Sequence, residues 1–127
     1  VMTRIDSDLL ALLDACAQGK LDEVDYKTSE NTSVTVMLVS GGYPEDYKKG
    51  VVMSGLDDLS DDCIIAHAGT KLNENGDVVT SGGRVIAVTA HGKDIEEARN
   101  KAYQNVEKIR FEGVNYRHDI GLDLMKF

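Results

Sequence analysis

Thr80-Ser81-Gly82-Gly83-Arg84-Val85 is the stretch of this chain with the plainest capacity for chemistry. Two consecutive glycines let a backbone take positive φ and leave two amides uncovered by any Cβ. The arginine that follows adds a planar fork of donors matched to phosphate or carboxylate. Gly82, Gly83 and Arg84 therefore describe a place where an anionic ligand meets bare backbone, with a strand bulge as the structural alternative. Thr70 and Lys71, within His67-Ala68-Gly69-Thr70-Lys71, can donate to the same anion or lie solvated beside a hairpin. His67 alternates with Ile65 and Gly69, the pattern of a hydrogen-bonded structural imidazole, and His91 sits beside Gly92 with no evident role. Cys16 falls on the apolar stripe of a helix and Cys63 opens a strand, so both thiols are expected to be buried and reduced. Glu23, Asp25 and Glu30 lie in an irregular stretch and form no metal-binding pattern. The residues themselves assign no catalytic group and no metal ligand.

Composition narrows the ligand. A net charge of −8 and a pI near 4.7 argue against sequence-blind nucleic-acid binding, which needs a basic surface. They leave room for a local basic pocket that takes a small anion. No apolar run approaches the roughly 20 residues needed to span a bilayer, and the N-terminus is no signal peptide, so neither membrane nor secretion is indicated. A cytoplasmic protein is the plain expectation. The first residues, Val1-Met2-Thr3-Arg4-Ile5, do not read as a natural translation start. The chain is expected to be a piece of something longer.

The elements that must hold these residues follow from pattern. Asp6 or Ser7 caps a first helix over about 6–18, with Leu9, Leu10, Leu13, Cys16 and Ala17 at helical spacing and Gly19 at its end. Lys20 to Thr32 is a polar connection. Ser33 to Val39 is a β-branched and aliphatic run that suits a strand buried on both faces. Gly41, Gly42, Tyr43 and Pro44 shape the turn that ends it. Glu45 to Lys49 is a short helical or turn segment, Gly50 to Ser54 a second strand, and Cys63 to Leu72 a third. Asn75-Gly76 signals a type I′ hairpin. Arg84 to Ala90 continues as a strand. Asp94-Ile95-Glu96-Glu97 opens a second helix close to a capping box, with Ile95, Ala98, Ala102, Val106 and Ile109 on one face and Gly113 at its end, about 95–112. Tyr103 is read as packing, and Arg117 with Asp119 as a local ion pair that fixes the tail. Helix, several short strands, then helix is the order of an α+β fold with a mainly antiparallel sheet.

Three glycine-punctuated turns, Ser40-Gly41-Gly42-Tyr43-Pro44, His67-Ala68-Gly69-Thr70-Lys71 and Thr80-Ser81-Gly82-Gly83-Arg84, can lie along one edge of that sheet. With Tyr116-Arg117-His118-Asp119-Ile120-Gly121 they resemble the C-terminal region of the phosphoribosylamine–glycine ligase (glycinamide ribonucleotide synthetase) family of the ATP-grasp superfamily. The resemblance runs from about Arg4 to Leu124. It implies a small antiparallel sheet or flattened barrel with flanking helices. Residues 1–32 would be the end of an ATP-grasp domain with its connection, and residues 33–127 a β-rich C-terminal domain. It also implies an activity for the intact enzyme: ATP and Mg or Mn turn glycine into an acyl phosphate, and the amine of 5-phosphoribosylamine attacks it. The products are glycinamide ribonucleotide, ADP and phosphate, a step of de novo purine synthesis.

The lysine, glycine-rich lid and acidic metal ligands of that family lie upstream of the region that this chain resembles. The chain alone is therefore expected to be inactive, to bind no cofactor by itself, and to help close the substrate site. Arg84, Gly82, Gly83, Lys71 and Thr70 are the substrate-binding candidates on this reading. Its partners are glycine, phosphoribosylamine and the upstream ATP-grasp domain, and the cut face is expected to self-associate through Leu9, Leu10 and Leu13. Two other readings stay open: the equivalent domain of a related ATP-grasp carboxylase, and a stand-alone, non-catalytic α+β module that binds a small anion or a protein partner.

Overall fold

The computed structural model describes residues 1–126; Phe127, the last residue of the expected C-terminal domain, lies outside them. In chain order the elements are α1 (Leu9–Ala17), β1 (Thr32–Ser40), β2 (Ile64–His67), β3 (Thr70–Leu72), β4 (Val78–Thr80), β5 (Arg84–Gly92), α2 (Ile95–Val106) and β6 (Val114–Asn115). Four strands form one open sheet in the order β2-β5-β1-β6, and β3 with β4 forms a separate hairpin. Every strand pair is antiparallel. The architecture is the α+β fold expected, as a sheet rather than a closed barrel.

Two long strands make the centre. Val34, Val36 and Leu38 of β1 stand directly opposite Ala90, Val88 and Ile86 of β5. Directly opposed residues share a face, and all six are at most 4% exposed. Ala98, Ala102 and Val106 of α2, each 0% exposed, cover that face. Alanine at two of these positions gives the helix a low surface that can approach the sheet closely. The helix covers one face only. Thr35 on the other face is exposed and meets the Thr89 hydroxyl at 2.7 Å, so β1 is buried on one side, not on both.

α2 starts as its sequence dictates. The Asp94 carboxylate accepts from the Glu97 amide at 2.8 Å, and the Glu97 carboxylate accepts from the Lys93 amide at 2.9 Å. That bond and the neighbouring Lys101 hold the Glu97 carboxyl below its ordinary range. The end comes earlier than the apolar spacing suggests, at Val106 rather than near residue 112. Arg110 exchanges backbone bonds of 2.9 and 3.0 Å with Ser54, a pairing that draws the chain out of the helix while Ile109 stays buried at 2%. Gly113 belongs to the next turn.

Other departures share this origin in long-range pairing. Gly50 to Ser54 forms no regular strand, only isolated bridges from Val52 to Val79 and from Ser54 to Arg110. The expected strand over Cys63 to Leu72 breaks at Ala68-Gly69 into β2 and β3. The hairpin over Asn75-Gly76 is present, but Gly76 alone has positive φ, at 84°. A type I′ turn needs two such residues. Here Asn73 instead caps the turn, its carbonyl accepting from Gly76 and its side-chain oxygen from the Asn75 and Asp77 amides.

α1 is capped by Asp8, not Asp6 or Ser7, with bonds to the Leu10 and Ala11 amides. Gly19 closes it as expected, with Gly19 and Lys20 amides donating to the Cys16 and Ala15 carbonyls. Only Leu12 and Ala15 of this helix are buried. Cys16 is exposed, against expectation, and Cys63 is half-buried. Burial first, then the adjacent Asp62 charge, pushes the Cys63 thiol upward.

Asn105 is the polar group on which this packing most depends: 2% exposed, it accepts from the Ser60 amide at 2.8 Å and donates to the Lys101 carbonyl at 2.9 Å. Asn105→Ala is expected to cost about 1–3 kcal/mol by leaving the Ser60 amide unpaired, read as a lower midpoint in urea with unchanged slope.

Candidate functional site

The site is built on one extra residue in β5. Register runs regularly from Thr32↔Gly92 to Leu38↔Ile86 and then shifts, so that Val39 stands opposite Arg84 and Val85 is left over. This is a β-bulge. Without it, Arg84 would stand opposite Ser40, on the face where Ser40 is 4% exposed beneath the helix. A one-residue shift moves a side chain to the other face of a sheet. The bulge thus places an arginine, which is costly to bury unpaired, on the exposed side. Arg84 is exposed and makes no ion pair among the described residues.

The bulge also anchors the turns around it. The Val85 carbonyl accepts from both the Ala68 and Gly69 amides at 3.0 Å, which is what breaks the β2–β3 run. The Gly69 carbonyl in turn accepts from Ser81 at 2.7 Å and from Gly82 at 3.2 Å. A Cβ on Gly69 would fall 2.7 Å from the Gly82 Cα and 2.5 Å from the Arg84 carbonyl oxygen. Ser40 ties in the third turn: its amide donates to the Gly83 carbonyl at 2.8 Å and its hydroxyl to the Gly82 carbonyl at 3.1 Å. The three glycine turns converge at one corner of the sheet.

Within this corner the glycines do something different from what their sequence suggests. Neither Gly82 nor Gly83 has positive φ, and the Gly82 amide is already bonded to Gly69. Close neighbours constrain both positions: a Cβ on Gly82 would lie a tight 3.2 Å from the Gly69 Cα, and on Gly83 there is no room for one. Gly83 is the sharper case: a Cβ there would lie 2.0 Å from Tyr43 Cδ2 and 2.6 Å from Cε2. The Tyr43 ring rests on bare backbone while the residue stays 40% exposed. Its ring centroid lies 6.1 Å from that of Tyr47, and Lys49 Nζ stands 5.7 Å above the Tyr47 ring.

The other candidates are distributed around the same turns. Thr70 Oγ1 is 2.8 Å from His67 Nδ1, the structural hydrogen bond expected for that imidazole. Lys71 is exposed and stands opposite Val79 in the hairpin. Backbone contacts through Gly69 place residues 69–71 beside residues 81–84. The sequence places Ser40 and Gly69 in turns along one sheet edge, but the backbone bonds by which they tie this corner together are not displayed by residue type.

The tail is pinned as expected. Arg117 makes a bidentate pair with Asp119 at 2.9 Å for both bonds, and Arg117 holds the Asp119 carboxyl below the usual range. Tyr103 donates its hydroxyl to the Arg117 carbonyl at 2.5 Å and accepts from the Ile120 amide at 3.2 Å. Arg99 adds bonds to the Ile120 and His118 carbonyls. His91 Nε2 is buried without a hydrogen-bond partner among the described residues. No three His, Cys, Asp or Glu side chains among those residues gather where they could hold a metal ion. No helix among them is long and apolar enough to cross a membrane.

Comparison with known proteins agrees with the fold. A family model described as phosphoribosylglycinamide synthetase, C domain, matches residues 33–123. The chain is 48% identical over 120 residues to a phosphoribosylamine–glycine ligase of Neisseria meningitidis, covering 94% of this chain and 28% of that protein. It is 42% identical over 124 residues to the chloroplastic phosphoribosylamine–glycine ligase of Arabidopsis thaliana, covering 95% of this chain and 23% of that protein. A crystal structure of phosphoribosylamine–glycine ligase from Thermotoga maritima superposes with a TM-score of 0.68 at 32% identity, covering 84% of this chain and 27% of that one. The chain thus spans about a quarter of the length of these relatives.

The Gly83–Tyr43 contact is open to a double-mutant cycle. Gly83→Ala is expected to destabilise the chain by about 1–3 kcal/mol, as overpacking does. In a Tyr43→Ala background the same substitution should cost at least about 1 kcal/mol less, because the ring it would strike is gone. Additive losses in denaturant melts would show that the ring does not rest on Gly83.

Proposed function

The chain belongs to the phosphoribosylglycinamide synthetase C-domain family, and from that membership we propose that it is the C-terminal part of an ATP-dependent ligase. The ligase joins glycine to 5-phosphoribosylamine and yields glycinamide ribonucleotide, ADP and phosphate. The share of these residues is to bind and orient the phosphorylated amine. One observation carries that assignment: the bulge at Val85 sets an unpaired Arg84 on the open face of the sheet, at the corner where the three glycine turns meet. A guanidinium is a planar, permanently charged fork suited to phosphate oxygens. Lys71 and Thr70 add donors from the neighbouring hairpin strand, and Gly82 and Gly83 form the close-packed turn that holds the base of Arg84 still.

Nucleotide and metal belong to the part of the ligase that precedes these residues. Bound Mg or Mn would offset the charge crowded between a transferring phosphate and the glycine carboxylate. The contribution of the residues described here is positioning, together with closing one wall of the substrate site.

The N-terminal segment is the seat for that preceding part. The family model begins at residue 33, which supports a boundary near residue 32, after α1 and its connection. Leu10 is 76%, Leu13 60%, Leu21 50% and Tyr26 60% exposed. Leu12, Leu13, Cys16, Leu21 and Tyr26 line an apolar hollow of about 450 Å³. Clustered apolar side chains of this kind mark an interface. The chain by itself is therefore expected to self-associate, and Leu10→Glu with Leu13→Glu to return it to monomer, by sedimentation velocity. A monomeric unmodified chain at high concentration would count against the assignment.

Arg84→Ala in the intact ligase is expected to raise KM for phosphoribosylamine by roughly 10- to 100-fold, the loss of a hydrogen bond to a charged group. KM for glycine should not move. An unchanged KM for phosphoribosylamine with unchanged turnover removes Arg84 from the site.

A further inference from the structure

We propose that Ser40 is a positioning residue for the phosphorylated amine: its hydroxyl clamps the Gly82 carbonyl and so holds the turn that aims Arg84. This rests on the assignment of Arg84 above. The row of β1 that faces α2 is apolar through Val34, Val36 and Leu38 and then breaks at Ser40, itself 4% exposed. Packing alone calls for an apolar side chain there, as at the three positions before it. A hydroxyl sealed in such a place is tolerated only when it is hydrogen-bonded. Its partner is the Gly82 carbonyl at 3.1 Å, and that carbonyl has no other donor among the described residues.

What this bond holds is the backbone leading into Arg84. Two glycines precede the arginine, and glycine is the residue with the most conformational freedom to lose. The Gly83 carbonyl belongs to the peptide unit that ends at the Arg84 nitrogen, and the Gly82 carbonyl to the unit before it. Ser40 holds both, the first through its amide at 2.8 Å and the second through its hydroxyl. From the other side the Gly69 carbonyl accepts from the Ser81 and Gly82 amides. Gly82 is therefore fixed at its amide and at its carbonyl by different segments of the chain. Ser40 is itself anchored, its carbonyl accepting from the Tyr43 amide at 3.1 Å. A guanidinium is no better placed than the backbone from which its side chain springs. Releasing the Gly82 carbonyl frees one of the two glycine peptides, and the preorganisation of Arg84 falls with it. The hydroxyl is buried and touches no substrate; it acts through Arg84.

The test is steady-state kinetics on the intact ligase with Ser40→Ala, Arg84→Ala and the two combined. Ser40→Ala removes the hydroxyl and leaves the amide bond to Gly83. It is expected to raise KM for phosphoribosylamine about 3- to 10-fold, the worth of one neutral hydrogen bond, with KM for glycine and kcat unchanged. In the Arg84→Ala background the same substitution should raise KM for phosphoribosylamine no further, because the group it positions is gone. A merely structural hydroxyl would not show that dependence. A raised KM in Arg84→Ala with an unchanged KM in Ser40→Ala overturns the proposal and leaves Arg84 in place. Unchanged KM in both single variants overturns the Arg84 assignment and this proposal with it. An equal rise in KM for glycine, or the same rise with and without Arg84, makes the hydroxyl a support of the fold at large and overturns the proposal. Should Ser40→Ala not fold, Ser40→Cys, which keeps the shape and weakens the donor, carries the same comparison.

Discussion

The carbonyl of Val85 and the extra residue it belongs to decide where everything else at this end of the molecule goes. One unpaired residue in β5 reverses the facing of what precedes it, so a charge that would enter the core beneath α2 is set on the opposite side. The same carbonyl accepts two amides from the β2–β3 junction. That double bond stops β2, redirects the chain into the hairpin, and brings Gly69 against Gly82. Gly69 then accepts from the Ser81-Gly82 turn, and Ser40 closes the ring of contacts from β1. A local irregularity in hydrogen bonding has become the organising point of three loops that lie far apart in sequence.

How much of this is readable beforehand depends on whether the determining contact is local. The start of α2 is: Asp94 and Glu97 are three residues apart and cap each other's turn, and the structure has those bonds. The Schellman end of α1 at Gly19 is local too. The end of α2 is not, because Ser54, more than 50 residues earlier, draws Arg110 away. The glycines at 69, 82 and 83 are instructive. Their clustering marks the correct place; the positive φ inferred for Gly82 and Gly83 is absent, and the alternative reading, a strand bulge, is present beside them. They are set by what lies opposite them, and a single sequence does not display its own cross-chain neighbours. The same holds for Cys16, whose position on an apolar stripe says nothing of whether another surface covers that stripe within these residues.

The molecule is also unevenly finished. From β1 onward one continuous core joins both long strands to α2 and to Met53, Ile109 and Phe111. α1 takes no part in that cluster. Its segment is tied within itself by the bridge from Ile5 to Thr28 and by Ser7 bonds to the 25–27 turn, and meets β1 through the Thr3–Ser33 hydroxyl contact. Such links fix direction but bury little apolar surface, and apolar burial is the main source of folding free energy. The two regions therefore differ in what stabilises them. Against the acidic balance of the whole chain, Arg84 is a cation without an ion pair among the described residues, and a nearby anion experiences it within a screening length of about 8–10 Å.

The tail past β6 has a property of a different kind. Arg99 and Tyr103 hold it through the carbonyls of Arg117, His118 and Ile120 and the amide of Ile120, that is, entirely through main-chain atoms. Main-chain atoms are the same whatever residue bears them. The path of residues 117–120 is thus written in good part into two side chains of a helix 14 to 21 positions away, while the Arg117–Asp119 pair and the core contact of Ile120 add side-chain constraints of the tail's own. At a position such as His118, held by its carbonyl alone, variability across related proteins would then be no sign of a loose structure, and it is the helix that should be slow to change.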